Sequence, residues 1–135
     1  MMLISLFKRL RCERGQALVE MALILPVLLL LIFGIIEFGR IFNAYLIVTN
    51  AAREGARAGI VGGSDLKIYQ TVEGSAATLD TLQLTVDVTP SSAYRVRGAA
   101  LTVAVDYPVA IYTPVISNIV GNPYIVHGSS TMRVE

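Results

Sequence analysis

The chain has 135 residues, of which 54% are hydrophobic and 16% are charged, and its formal net charge is +1. That value hides an asymmetry, because residues 1–15 hold four of the eleven basic residues and one of the ten acids, which leaves the other side chains at 7 minus 9, or −2. A mildly acidic remainder excludes the basic surface that nucleic-acid binding requires. The single cysteine, Cys12, excludes a disulfide framework, and its place before the apolar segment favours an inert leader thiol over a lipid-attachment site.

A long apolar segment follows Gly15, and Glu20 is its only charged residue up to Ile36. About 20 apolar residues match a hydrocarbon core about 30 Å thick. We therefore expect a transmembrane helix over residues 16–40, with the crossing itself over residues 18–38. The basic residues of the preceding leader predict a cytoplasmic amino terminus. A secretory signal peptide would have a shorter apolar core that ends in a small-residue cleavage site, and neither feature is present.

The helical pattern continues beyond the membrane, because residues 41–60 lack proline and contain many good helix formers. A continuous helix over residues 16–60 would be about 65 Å long and would protrude from the bilayer. Its outer half carries one apolar stripe at helical spacing, made of Ile41, Tyr45, Val48, Ala52 and Ala56. This stripe needs a surface to pack against, and the glycines at 59, 62 and 63 predict the end of the helix.

The rest of the chain, residues 61–135, begins with a predicted short helix. Ser64 is a suitable amino-terminal cap for a helix over about residues 65–73, and Gly74 and Ser75 interrupt it.

Strands are predicted after that helix, because apolar and polar residues alternate strictly over residues 82–88. A second alternation, over residues 101–107, places large apolar residues on one face and Thr102, Ala104 and Asp106 on the other. The turn at Pro90 joins the two strands as an antiparallel hairpin, and Pro108 is expected to end the second. Residues 111–120 form either a short helix or a returning loop, and a last strand is expected from about Tyr124 to Val134.

The fold class that follows is α+β. Three strands with one apolar face are marginally stable alone and need a helix across that face. The amphipathic half of the long helix is the available partner. We therefore expect a long amino-terminal helix packed on a small antiparallel sheet of about three strands, with a stick-and-head shape.

The segment from Arg14 through Gly15 to Glu20 resembles the processing site of class III type IV prepilins. More narrowly, the apolar segment, the Glu37-Phe-Gly-Arg40 motif and residues 50–57 together resemble TadE-like pseudopilins of the tight-adherence (Tad/Flp) pilus system. The resemblance covers about residues 14–60. It implies that a prepilin peptidase cuts after Gly15, that Gln16 becomes the first residue of the mature chain, and that the fold is a pilin-like lollipop.

The same resemblance implies that Glu20, the fifth residue of the mature chain, neutralises the terminal amine of a neighbouring subunit. A matched pair of buried charges costs far less than two unpaired ones, so the pair would favour one vertical position of adjacent helices. The alternative is that Glu20 merely extends to the membrane interface near Arg14.

Two further features of the membrane helix draw interest. Pro26 removes a backbone hydrogen bond and predicts a local kink. Glu37 and Arg40 lie three residues apart near the outer interface, where a local ion pair, lipid headgroup contacts or a contact to a partner subunit are open interpretations.

Further along the helix, Arg53, Glu54 and Arg57 are candidate partner contacts, and Glu54 is in place to pair with Arg57. The adjacent alanines and Gly55 form a thin face that a sheet or helix could approach closely. A solvated charged face beside a tightly packed one is the favoured interpretation.

Catalysis is not expected. His127 is the only histidine, Cys12 lies in the leader, and the serines at 129 and 130 have no triad partners in the sequence. No metal site and no cofactor are expected, because no cluster of ligand residues and no glycine-rich phosphate loop is present.

Three functions stay open at this point. The leading one is a minor pilin-like subunit, cut after Gly15, that takes part in assembling a Tad/Flp-type pilus for adhesion or surface colonisation. The second is an uncleaved single-pass accessory or scaffold protein of the same secretion complex, and the third is a membrane-anchored binding module. The first implies a bacterial inner-membrane location with the head outside the cytoplasm. Its partners would be a prepilin peptidase, other pilin subunits, the assembly platform and the bilayer.

Overall fold

The computed structural model describes residues 2–135, with side chains from Gly15 onward. The elements in chain order are α1 (Met2–Ile60), α2 (Asp65–Ser75), β1 (Thr85–Thr89), β2 (Ala100–Val109), α3 (Pro114–Val120) and β3 (Tyr124–Arg133), with short 3₁₀ turns at Thr81–Gln83 and Ser92–Tyr94. The structure confirms the α+β prediction of a long helix packed on a three-stranded antiparallel sheet. It divides into two compact units, of which the first ends at Ile36 and the second comprises Glu37–Glu135.

In the first unit, helix α1 leaves its apolar side chains uncovered. Every large apolar residue from Leu18 to Ile36 is exposed. Glu20 and Gln16 are exposed as well. A helix that is apolar on all sides is typical of one surrounded by lipid or by other apolar helices.

The second unit is built on a sheet with the order β1-β2-β3, in which both neighbouring pairs are antiparallel. Val86 lies opposite Val105 in the first pair, and Val103 lies opposite Ser130 in the second. The predicted hairpin and the predicted last strand are thus confirmed. Because side chains alternate between the two faces of a strand, Leu101, Val103 and Val105 all reach the same face, where they are fully buried.

The outer half of α1 covers that face of the sheet with its smallest side chains. Fully or almost fully buried positions of the helix are Ala44, Val48, Ala51, Ala52 and Ala56. Helix α2 closes the core from another side with Ile68 and Val72, both fully buried. The thin helical face expected from the sequence is therefore the packed face of the second unit.

Tyr45 departs from the predicted stripe, because it is exposed while its neighbour Ala44 is buried. Tyr45 lines an open groove together with Tyr124, which begins β3.

Two strand boundaries also differ from the prediction. The first strand begins at Thr85 instead of residue 82, because the Asp80 carboxylate accepts a hydrogen bond from the Leu82 amide at 3.2 Å and caps a 3₁₀ turn. The second strand does not end at Pro108 but continues to Val109. Pro108 has no backbone N–H to donate. Strand β1 pairs with β2 only as far as Asp106, so no residue of β1 needs a hydrogen bond from Pro108.

The predictions around α2 and α3 are settled as well. The Ser64 hydroxyl caps α2 by accepting a hydrogen bond from the Lys67 amide at 3.3 Å. Gly62 has a φ of 87°, which places it in the left-handed region expected of a glycine just after a helix. The segment around residues 111–120 contains helix α3, so the choice between helix and loop is resolved in favour of a helix.

An ion pair that the sequence did not reveal fixes the corner between α1 and α2. The Arg95 guanidinium contacts the Asp65 carboxylate and donates to the Gly63 carbonyl at 2.6 Å. Asp65 also accepts hydrogen bonds from the Ser92 amide, at 3.0 and 3.2 Å. The loop between β1 and β2 is thereby attached to the start of α2.

Close packing at Gly128 gives a first prediction. A Cβ atom at this position would lie 2.9 Å from the Thr49 amide nitrogen and 3.0 Å from its Cα, which are backbone atoms of α1. We expect Gly128→Ala to lower the free energy of unfolding of the second unit by about 1–3 kcal/mol, because the helix backbone cannot move aside without cost. Denaturant unfolding of the full chain in micelles, followed by circular dichroism, measures this.

The matched control is Gly74→Ala in α2, where a Cβ would have nothing within 4 Å. Alanine there should leave stability unchanged or raise it by about 0.5–1 kcal/mol, because glycine is the poorer helix former. Equal stability of the Gly128 variant and the wild type would contradict the close approach of β3 to α1.

Candidate functional site

The candidate processing residues lie on the exposed part of α1. Gly15, Gln16 and Glu20 are all exposed. Gln16 and Glu20 are four residues apart and so share one face of the helix. Among residues 15–135, no side chain forms an ion pair with the Glu20 carboxylate. The helix continues through Pro26, and the kink predicted there stays a prediction.

This part of the helix has the properties of a membrane span. In the described part of the chain, α1 is the one helix that is both long enough and apolar enough to cross a bilayer. None of its most apolar stretch is buried inside the protein. Its uncovered surface and its length fit a single-pass membrane protein.

Glu37 forms a buried polar site at the start of the second unit. Glu37 is only 4% exposed, although it directly follows the exposed apolar segment in the sequence. One carboxylate oxygen, Oε1, accepts hydrogen bonds from the Tyr112 amide at 2.8 Å, the Thr113 amide at 3.1 Å and the Thr113 hydroxyl at 3.3 Å. The other oxygen, Oε2, lies 2.7 Å from Nη1 of Arg40. We call Glu37, Arg40, Tyr112 and Thr113 the Glu37 cluster.

Arg40 completes the cluster from the same helix. Its Nη1 also donates to the Ala110 carbonyl at 3.1 Å, and its guanidinium lies over the Tyr112 ring, 4.5 Å from the centroid. A buried carboxylate is costly unless its charge is matched and its lone pairs are used. The cluster meets both conditions, so Glu37 attaches α1 to the segment between β2 and α3.

The local ion pair between Glu37 and Arg40 was one of the interpretations open from the sequence. The donors of Tyr112 and Thr113 could not be read from the sequence, since they come from a loop more than seventy positions away. One signal was present nonetheless: a carboxylate in an apolar helix needs donors from somewhere. A similar contact nearby was also missed, in which the Asn122 side chain pairs with both the amide and the carbonyl of Ile111, at 3.0 and 3.1 Å.

The other charged candidates on α1 are not brought into a site. Arg53, Glu54 and Arg57 are exposed, and no ion pair joins Glu54 to Arg57 in the portion from residue 15 to residue 135. The adjacent Gly55 is packed so closely that a Cβ would lie 2.6 Å from Val72 Cγ2. This arrangement agrees with the interpretation of a solvated charged face beside a tightly packed one.

All nine candidate residues lie in one stretch of α1, from Gly15 to Arg57, and comparison with known families concerns the same stretch. Residues 15–57 match the family model of TadE-like proteins. The match covers less than half of the chain and leaves the sheet outside it. It confirms the resemblance found in the sequence, and it supports a pilin-like protein associated with the Tad pilus. No curated protein and no solved structure matches the chain.

The stretch that matches the TadE-like model contains one carboxylate within the apolar segment, Glu20, and one directly after it, Glu37, and their surroundings are opposite. Glu37 is buried and bonded within its own chain. Glu20 is exposed on a surface that the rest of the described chain leaves bare. The geometry assigns Glu37 to holding the fold.

The Glu37 cluster gives a second prediction. We expect Glu37→Ala to destabilise the attachment of residues 110–113 by about 1–3 kcal/mol, because two backbone N–H groups lose their acceptor. Hydrogen exchange of the Tyr112 and Thr113 amides, followed by mass spectrometry on the full chain in micelles, should become markedly faster. Exchange within β2 should change less.

Glu54→Ala is the control, because it removes an exposed carboxylate from the same helix without removing an acceptor. Unchanged protection of both amides in the Glu37 variant would show that the carboxylate does not hold this segment.

Proposed function

We propose that this chain is a minor pilin-like subunit of a Tad-type pilus, cut after Gly15 by a prepilin peptidase. The observation that carries the proposal is the combination of the TadE-like match over residues 15–57 with an apolar helix that nothing else in the described chain covers. Such a surface needs lipid before assembly and other apolar helices after it.

The proposed cleavage changes the charge at the membrane edge. It removes the leader, with its four basic residues, and leaves a new positive amine on Gln16. Inside a dry helix bundle this amine and the Glu20 carboxylate of a neighbouring subunit neutralise each other. Any other vertical position of the two helices leaves both charges unmatched, so the pair selects one position.

The location and partners follow from the same proposal. The amino terminus lies in the cytoplasm and the head lies outside it, as the positive leader favours. The helix contacts the bilayer, the peptidase, the inner-membrane assembly platform and other pilin subunits. The role is structural, without catalysis or a cofactor, and it serves adhesion or surface colonisation through the pilus.

A minor position in the pilus is supported by the second unit. Residues 37–135 have their own core, formed where α1, α2 and the sheet meet. The resemblance implies that major pilins of this system are much shorter and nearly all helix. A subunit with a folded head of this size suits a priming or tip position better than a repeating one.

Cleavage is tested with Gly15→Leu. We expect this variant to stay in the membrane as the full-length precursor, because the peptidase must approach the backbone closely at the bond it cuts. Intact mass spectrometry of the protein extracted from cells measures the outcome. Gly34→Leu is the control on the same helix, where a Cβ would have nothing within 4 Å.

Processing of the Gly34 variant with retention of the Gly15 variant supports the cleavage. A wild-type chain that keeps residues 1–15 would instead favour the uncleaved accessory or scaffold protein.

The role of Glu20 is tested separately. We expect Glu20→Ala and Glu20→Gln to be processed normally but to assemble poorly, with pilus production or incorporation reduced by more than about tenfold. Leaving one charge of a buried pair unmatched costs about 3–5 kcal/mol, and 1.4 kcal/mol is a factor of ten. Quantified surface pili and the subunit content of sheared pili measure this.

Glu54→Gln removes the same charge from the exposed outer part of α1 and should behave as the wild type. Full assembly by the two Glu20 variants would show that the carboxylate does not set the position of the helices.

A further inference from the structure

One long segment of the second unit carries no charge. From Tyr107 to Val126 the sequence has no Asp, Glu, Lys, Arg or His, although Asp106 and His127 stand directly before and after it. The segment contains the end of β2, all of α3 and the start of β3. A surface segment of this length without charge is unusual for a domain whose solvent is water alone.

The same segment exposes large apolar side chains. Ile119 is 79% exposed and Tyr112 is 76% exposed. The full set, which we call the apolar rim, is Tyr112, Val115, Ile119, Val120, Tyr124 and Ile125. Val115 and Ile119 are four residues apart in α3 and so share one face of that helix. Exposed apolar patches mark a contact with a membrane or with another protein.

The Glu37 cluster fixes the level of the rim along the helix. Tyr112 and Thr113 donate to the carboxylate of Glu37. That residue directly follows the apolar segment that ends at Ile36. Within the second unit, the rim is therefore attached to the residue that follows the apolar segment in the sequence.

Several backbone amides of the segment have hydrogen-bond partners within the protein. Near lipid, each backbone donor needs a partner within the protein. The Ile111 amide donates to Asn122, the amides of residues 112 and 113 donate to Glu37, and the Ser117 amide donates to the Thr113 carbonyl. Prolines 108, 114 and 123 have no N–H at all. The loop thus presents apolar side chains, while the amides of residues 111, 112, 113 and 117 are paired within the protein.

A groove next to the rim has the same character. Its volume is about 370 Å³, and it is lined by Phe38, Ile41, Phe42 and Tyr45 of α1 and by residues 124–127 of β3. Aromatic side chains are enriched where proteins meet the headgroup region of a bilayer. The other end of the sheet carries charged residues instead, among them Arg95, Arg97 and Arg133.

We propose that the apolar rim inserts into the headgroup region of the outer leaflet, so that the head rests on the lipid surface through α3 and its flanking residues. The partner is the lipid bilayer. The bonds from Tyr112 and Thr113 to Glu37, the residue that follows the apolar segment in the sequence, favour lipid over a second protein. This contact depends on the membrane anchor but not on cleavage after Gly15, so it holds even if the proposed processing fails.

The absence of tryptophan from the chain makes a clean test available. Ile119→Trp places a single reporter on the rim, and Val115→Trp places a second. Val96→Trp is the matched control, because Val96 is exposed in the loop between β1 and β2, among the charged residues named above. The full chain is reconstituted in phosphatidylcholine vesicles, with or without lipids brominated near the glycerol end of the acyl chain.

We expect the fluorescence of both rim reporters to be blue-shifted and to resist quenching by acrylamide. In brominated vesicles, both should lose most of their fluorescence intensity. The control should be quenched by acrylamide and unaffected by bromine. Equal acrylamide quenching of all three reporters would overturn the proposal. Rim reporters that resist acrylamide but ignore brominated lipid, with protection lost when the protein is diluted in the bilayer, would show that a second copy covers the rim and would also overturn it.

Discussion

The second unit depends on how closely its other elements approach the backbone of α1. The buried face of the helix is made of Ala51, Ala52 and Ala56, with Gly55 between them. Short side chains let α2 on one side and the sheet on the other reach the helix, and Gly128 repeats the device from the strand. Interiors are packed as densely as organic crystals, so small volume changes on this face are felt throughout the core. A helix that looks weakly hydrophobic here is therefore the one on which the sheet is assembled.

Glu20 and Glu37, within and directly after the apolar segment, meet the same physical requirement in two ways. An ionised carboxylate away from water needs a matching charge and hydrogen-bond donors. Glu37 obtains both within its own chain, from Arg40 and from the loop before α3. Glu20 has neither among the side chains of residues 15–135, and we propose that a neighbouring subunit supplies them. Fold and proposed assembly thus use the same chemistry at two levels of one helix.

Much of the fold could be predicted, because its helices and strands follow from the residue pattern within each segment. The alternation around Val103 required a strand, and the serine at position 64 required a helix start. The prediction was wrong where a side chain overrode the pattern, as when Asp80 capped a turn in place of the expected strand start. The donors to Glu37 were missed because they are brought close only by the completed sheet. The spacing of apolar and polar residues predicts individual helices and strands. A site made of residues from distant segments forms only when those segments pack together.

The account requires that the Gln16 amine of one molecule contact the Glu20 carboxylate of another. Zero-length carbodiimide coupling of wild-type pili, followed by peptide mass spectrometry, tests this contact most directly. The account predicts an amide bond that joins a peptide beginning at Gln16 to a peptide containing Glu20, in a product heavier than one subunit. A chain that begins at Met1, or a Glu20 that couples only within its own molecule, would contradict it.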